Sequence, residues 1–456
     1  MALALGDAAG RAAAFVATVY LARTLGPDRY GLVALAAAIT LYPAGLADLG
    51  IAAIGSRDVA RDPVAARRWA AVLLTGRFAI ACAAAAAMAG LAHLLLGPPG
   101  STVFAGYALT LLAVGLNGTW VLVGLEDARP AGVARVAGAL VVLAATFALV
   151  RGADDVARAP LAVLAGELCT VGAVLLALRR RGFRVAPRFD PAFALPVFRR
   201  ALPMLGHTLL GLCIFNADLV LVRVFRDRPA VGNYAAAYAL VTLLVNGTVI
   251  YGQSLVAALT RLRATGQDGA LLATAYARTF AVALPAALGG AVLAPRIIVT
   301  FFAAGYGDAP PALALLLATV PLAALRSTAT AALVAGGGGR ALFRITAAAA
   351  ATAVLLDLVL IPALGILGAA LASVATEAVH TAWALRGARQ LGFPGVALRR
   401  LAVPTAAAAV MTGALLPVAG GPLWLSVALG ALVYGGGLAA VGALRLDARG
   451  LPTLRV

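Results

Sequence analysis

The chain contains no lysine: all 36 of its basic residues are arginine. A phosphate-binding loop of the Gly-rich, Lys-Ser/Thr type is therefore excluded, and the GGGGR run at 336–340 reads as a flexible turn. Charge of either sign is scarce, at 12% of residues. With 63% hydrophobic residues, the chain cannot furnish the solvated surface that a soluble domain needs. The three cysteines, Cys82, Cys169 and Cys213, lie apart in apolar stretches and read as small buried hydrophobes rather than disulfides or metal ligands. His93, His207 and His380 are isolated and lack ligand spacing, so no metal or other cofactor is expected. Long polar loops are also missing, which leaves no room for a soluble catalytic domain.

What is present is a succession of apolar stretches of roughly 17–25 residues, the length an α-helix needs to cross a bilayer. Barrel strands would be shorter and would alternate in polarity. The pattern predicts an all-α polytopic membrane protein with about fourteen transmembrane helices. They are placed near 5–24, 31–54, 70–96, 102–124, 131–150, 159–178, 201–222, 232–256, 275–302, 311–335, 341–362, 364–385, 401–419 and 423–444. The seam at 31–56 is soft, because Pro43 and Asp48 interrupt it. The N-terminus lacks a basic leader and carries Asp7 and Arg11, so the reading is an uncleaved first span.

Arginine is concentrated in alternate gaps. With the N-terminus inside, 24 arginines fall on the cytoplasmic side, eight on the other, and four (Arg11, Arg77, Arg135 and Arg326) within spans. This asymmetry predicts cytoplasmic N and C termini in a bacterial cytoplasmic (inner) membrane. The net charge of +18 is spread over short loops, which suits anionic head groups and not nucleic acid.

Two halves echo one another. YLARTLGPDRYGLVALAAA at 20–38 is similar to VLVRVFRDRPAVGNYAAAYA at 220–239, and Glu167 precedes a span end as Glu377 does. The expected layout is a six-helix lobe over 1–178, a cytoplasmic interfacial linker over 179–200 and a second six-helix lobe over 201–386 in parallel repeat. Two further helices and a tail fill 387–456. Paired repeats of this kind are a feature of transporters.

The segments ARTLGPDRYG, LADLGI, GSRDVAR, ADLVLVRVFRDRPAVGNYAAAYAL, FFAAGYGDAPPALALL and LLDLVLIPALGILGAALASVATE lie in an order and spacing that span about 10–390. They resemble the lipid-linked oligosaccharide and polysaccharide flippases of the multidrug/oligosaccharidyl-lipid/polysaccharide exporter superfamily. The resemblance implies two lobes around a central cavity lined by spans 1, 2, 7 and 8, and alternating access. It also implies a polyprenyl-diphosphate-linked oligosaccharide as cargo, with membrane lipids, a polysaccharide polymerase and export machinery as partners. Flipping breaks no bond, so no enzyme activity is expected. An ion-coupled multidrug or small-solute exporter of the same fold is the alternative.

Charged side chains within spans are the sharpest candidates, since each costs about 2.5–3.5 kcal/mol at a helix centre. Arg11 is the first choice for a substrate phosphate, which a guanidinium holds through two parallel N–H bonds; a local pair with Asp7 is the structural reading. Arg57 is read as a head-group contact or a positive-inside anchor. Asp48 is a gating or helix-end residue that would meet Arg57 only if the helix breaks at Gly50 or Gly55. Asp218, with Asn216 beside it, carries a proton or a sodium ion or locks an arginine of the other lobe. Asn246, Tyr251 and Gln253 line a sugar path or bond neighbouring helices. Arg77, Arg135, Glu167, Arg326, Asp357 and Glu377 read as structural charges, paired as Arg135–Glu167 and Arg326–Glu377.

Overall fold

The computed structural model describes residues 2–62, 66–183, 187–446 and 452–454. The fold is all-helical but for one short antiparallel ribbon, β1 (Leu444–Leu446) against β2 (Pro452–Leu454). The helices in the first half are α1 (Ala2–Asp48), α2 (Ile51–Arg61), α3 (Ala66–Leu95), α4 (Gly100–Leu116), α5 (Thr119–Gly124), α6 (Ala128–Leu149) and α7 (Ala159–Arg180). Then come α8 (Pro191–Phe225), α9 (Arg228–Arg263), α10 (Asp268–Phe302), α11 (Ala309–Leu316), α12 (Thr319–Ala335), α13 (Gly339–Leu364), α14 (Ile366–Gln390), α15 (Leu398–Leu415) and α16 (Leu423–Ala440). Among the described residues, twelve helical segments are long and apolar enough to cross a membrane. The protein is a multi-pass membrane protein.

The fourteen expected spans and these twelve segments differ at two places. The first span and most of the second form one helical run, α1 (Ala2–Asp48), whose 47 residues would measure about 70 Å if straight. It does not run straight: Gly26 leaves helical geometry with φ 71°, just before Pro27. A positive φ suits glycine, and the proline ring after it cannot continue the hydrogen-bond ladder. α14 is the other, a full-length helix that is not among the twelve.

The soft seam at Pro43 and Asp48 is a real end. α1 stops at Asp48, and Leu49 and Gly50 turn left-handed with φ 50° and 72° before α2 starts. The fourth span, expected to be continuous over 102–124, is broken at Asn117–Gly118. Asn117 stabilises the break locally: its side-chain oxygen accepts from the Thr119 backbone N–H at 3.0 Å and from the Thr119 hydroxyl at 2.6 Å. A second break, at Leu317–Ala318, separates α11 from α12.

The chain forms two compact units, one of 1–223 with 227–232 and one of 224–226 with 233–456. Half of the stretch 179–200, expected to lie along the interface, is the first three turns of α8. Asp190 starts that helix by accepting from the Phe193 backbone N–H at 3.1 Å, and Pro191 at the first position cannot extend it backwards. Arg68 donates to Asp190 at 2.8 Å, and this bond, then the Phe193 one, holds the carboxyl below its ordinary range. The contribution is present above about pH 3.9 and is lost as pH falls through the lowered value.

Within the first unit, α6 and α7 pack so closely that only glycine fits at their crossing. A Cβ on Gly138 would strike the Thr170 hydroxyl and the Gly166 carbonyl, and one on Gly166 would strike Val142. Small residues at such crossings let backbones approach and gain dispersion contacts. Gly138→Val should therefore push the two helices apart and lower stability by about 1–3 kcal/mol, read as a lower midpoint in thermal unfolding of the detergent-purified protein.

Candidate functional site

The first unit holds a half-open cavity of about 760 Å³. Its wall is built from α1, the start of α2, α3, the broken α4–α5 span, α6 and α7. Five of the charges picked out in the sequence meet there: Arg11 and Asp48 from α1, Arg77 from α3, Arg135 from α6 and Glu167 from α7. The helix breaks at Leu49–Gly50 and Asn117–Gly118 border the same space. Irregular backbone at membrane depth is tolerated where it lines a cavity, and discontinuous helices recur at transporter binding sites.

Arg77 organises this wall. It is 4% exposed and donates to the Asp48 carboxylate at 2.9 Å. Its other donors reach the backbone carbonyls of Asn117 at 3.1 Å and Val114 at 3.3 Å. Both carbonyls sit at the C-terminal end of α4, where the dipole favours a cation; the Val114 oxygen also accepts from the Asn117 backbone N–H at 3.2 Å. One guanidinium thus ties the end of α1, the middle of α3 and the break in the fourth span together. Asp48 does pair, but with Arg77 and not with Arg57; Arg57 is exposed on α2. Sequence reasoning missed this because the partner lies 29 residues away, on a different helix. The Asn117-Gly118 pair, residue types that favour turns, was the signal that could have located the helix end that Arg77 meets.

Among the described lining residues three guanidinium groups accompany two carboxylates, an excess of one positive charge. Arg77 and Asp48 compensate each other, and Arg11, Arg135 and Glu167 lie on the remaining wall. Such a cavity suits an anionic group, because guanidinium forks match phosphate oxygens. The Asp7 side chain, the structural partner considered for Arg11, lies outside the described residues. Arg77→Ala should lower stability by about 1–3 kcal/mol through the exposed carbonyl ends and the unpartnered Asp48. The check is the thermal unfolding midpoint, with Arg77→Lys expected in between, since an ammonium cannot span all three acceptors.

The remaining sequence candidates are elsewhere. Asn216 donates to the Leu212 carbonyl at 3.3 Å, and the Tyr42 hydroxyl donates to the same oxygen at 3.3 Å, so both cover one backbone group between α1 and α8. Asp218, two residues further along α8, is buried. Tyr251 lines a second cavity, of about 620 Å³, in the other unit. Asn246 is half-buried and Gln253 exposed on α9; neither lines these two cavities.

The pair Arg326–Glu377 is formed, with Nε donating to the carboxylate at 2.5 Å and both side chains under 10% exposed. It joins α12 to α14 in the core of the second unit. Arg135 and Glu167, expected to pair structurally, both line the cavity of the first unit. Among the described residues no cluster of His, Cys, Asp or Glu has the arrangement of a metal site.

Solved structures share this fold. A lipid II flippase MurJ, in an inward closed conformation, matches with a TM-score of 0.80 at 14% identity, covering 96% of this chain and 98% of that one. An inward-facing multidrug resistance transporter of the MATE family, of the MOP superfamily, matches with a TM-score of 0.67 at 16% identity over 83% of this chain and 94% of the other. A MOP superfamily transporter from Pyrococcus furiosus, described as having a binding pocket of reversed polarity, matches with a TM-score of 0.60 at 17% identity, covering 86% and 95%. No curated protein matches by sequence. The model of one family, described as polysaccharide biosynthesis protein, matches residues 1–262. That is more than half of the chain, and on this match the chain belongs to the polysaccharide biosynthesis protein family.

Proposed function

We propose that this protein is a flippase that carries a polyprenyl-diphosphate-linked oligosaccharide from the cytoplasmic to the outer leaflet of the bacterial inner membrane. The observation that carries the reading is the cationic cavity among helices long and apolar enough to cross a membrane, with Arg11, Arg77 and Arg135 on its wall. Family membership and the flippase and transporter folds it shares support the same class.

The physical obstacle is the head group. Sugar hydroxyls and phosphates that leave water without new partners cost several kcal/mol each, whereas the prenyl tail can remain in lipid throughout. A polar cavity open to one side at a time removes that cost. In this reading Arg11 and Arg135 receive the diphosphate, while Arg77 positions Asp48 at the breaks that let the helices move. Arg57, on α2, meets the head group at the cytoplasmic entrance, and Asn216, Asp218, Asn246, Tyr251 and Gln253 line the path of the sugar. If two negative charges move outward alone, an inside-negative potential of 100 mV favours the step by about 4–5 kcal/mol.

The layout that goes with this function has cytoplasmic termini and fourteen spans, counting α1 as two helices about Gly26 and including α14. Two six-helix lobes are followed by a two-helix extension, and a polysaccharide polymerase and export machinery act beside it. The carboxylates Asp48 and Glu167 in the same cavity keep an ion-coupled drug or small-solute exporter as the second reading.

Reconstitution separates them. Liposomes carrying the protein and a fluorescent polyprenyl-diphosphate oligosaccharide should expose the labelled head group to an impermeant quencher faster than protein-free liposomes. Unchanged exposure, together with ion-gradient-driven export of a cationic dye, would replace the flippase by the exporter.

A further inference from the structure

The second cavity has the polarity of an amphiphile. It lies wholly within the second unit, between α9 and α10, with Val320 of α12 at its floor. α9 contributes Leu243, Leu244, Gly247, Thr248 and Tyr251; α10 contributes Arg278, Thr279, Val282, Ala283 and Ala286. Both sets follow i, i+1, i+4, i+5, i+8, so each helix presents one continuous face to the groove. The turn at 264–267 joins the two helices and reverses the chain, which fixes their register. Tyr251 is 12 residues, about 18 Å, before the end of α9, and Arg278 is 10 residues, about 15 Å, past the start of α10.

Tyr251, Thr248, Arg278 and Thr279 therefore share one end of the groove. Leu243, Leu244, Val282, Ala283 and Ala286 occupy the other, extending about 12 Å beyond Arg278. The arrangement is a cation with hydroxyls at one level and a purely apolar trough beyond it. The Thr248 and Thr279 hydroxyls donate to their own helices, to the Val245 carbonyl at 2.8 Å and the Ala275 carbonyl at 2.8 Å. The Thr279 hydroxyl also shares a hydrogen bond with the Thr328 hydroxyl at 3.4 Å, and Arg278 supplies the charge-assisted donors. Groove volume falls within the range of about 300–1,000 Å³ found for small-ligand sites.

We infer that this groove is a binding site for an anionic membrane phospholipid, with its phosphate at Arg278 and one acyl chain along Leu243, Val282 and Ala286. Charge complementarity selects the occupant: a neutral amphiphile fills the trough but brings no anion to the level of the Arg278 guanidinium, and a soluble phosphate brings the anion but leaves the trough empty. The assignment does not rest on the cargo proposed above, although Tyr251 is common to this groove and to the path proposed for the sugar.

The test is native mass spectrometry of the full chain, purified in detergent, delipidated and titrated with phosphatidylglycerol or phosphatidylcholine. Phosphatidylglycerol should be retained about fivefold more strongly, the increment expected of one arginine at a membrane surface. Arg278→Gln should bring the two lipids to parity. Gly247→Phe should fill the trough and reduce retention of both lipids; an added Cβ at Gly247 meets nothing within 4 Å, so this variant is expected to fold. Inorganic phosphate should not displace the lipid. Unchanged preference in Arg278→Gln, unchanged retention in Gly247→Phe, or displacement by free phosphate would each overturn the assignment.

Discussion

Replacing Arg11 by Ala should abolish transfer of the lipid-linked glycan while leaving the protein inserted and folded. Arg11 lines the cavity of the first unit, on the stretch of α1 before the Gly26 kink. A guanidinium forms two parallel bonds to a phosphate, and hydrogen bonds to charged groups contribute about 1.5–3 kcal/mol each. Losing both is worth at least about 3 kcal/mol, or roughly a hundredfold in apparent affinity for the head group. Arg11→Lys should fall between wild type and Ala, since an ammonium keeps the charge but not the fork. The measurements are glycan export in cells, membrane fractionation and the thermal unfolding midpoint. Export at the wild-type level by Arg11→Ala would remove this residue from the mechanism.

Arg326→Ala should instead destabilise the fold. Glu377 is 5% exposed, and its carboxylate accepts from Arg326 Nε at 2.5 Å inside the second unit. Removing one partner of a buried ion pair leaves a charge with nowhere to go, at a cost of about 3–5 kcal/mol. That is a large share of the 5–15 kcal/mol, or thereabouts, that holds a domain folded. The double variant Arg326→Met with Glu377→Leu removes both charges and should recover most of the loss, because buried pairs and apolar replacements of similar volume come out near parity. Detergent-purified protein should show a much lower unfolding midpoint for the single variant and a near-normal one for the double. Equal midpoints for all three would mean that the pair contributes nothing to the fold. Arg77→Ala should cost less than Arg326→Ala, because its carboxylate partner is 28% exposed on a cavity wall and can be solvated there.

The contrast between these two arginines also shows what the amino-acid pattern could and could not convey. Helices were legible because a bilayer imposes one length and one polarity on every crossing, and apolar runs of that length recur throughout. The Arg326–Glu377 pair was legible because two opposite charges, each alone in its apolar span, must find company. The Asp48–Arg77 pair was not, because it depends on where backbone breaks fall. Asn117–Gly118 lies within an apolar run, and hydropathy alone does not distinguish a continuous helix there from a broken one. The break is set instead by a local exchange in which the Asn117 side chain caps Thr119 and Arg77 donates to the Asn117 and Val114 carbonyls. Likewise Arg135 and Glu167 could be placed on facing spans but not on a cavity, since whether two helices touch or part depends on side-chain volumes summed over a whole unit. Gly138 and Gly166, which bring α6 and α7 together beside those charges, gave no such indication as isolated glycines in apolar sequence.

The central claim is that the cationic cavity of the first unit receives the diphosphate head, and its most direct measurement is equilibrium binding by the purified full-length protein. Wild-type protein should bind a polyprenyl-diphosphate oligosaccharide well above the corresponding uncharged polyprenol, and Arg11→Ala combined with Arg135→Ala should erase that difference while the unfolding midpoint is retained. Equal binding of the charged and uncharged lipids by wild-type protein, or an undiminished preference in the double variant, would contradict the account.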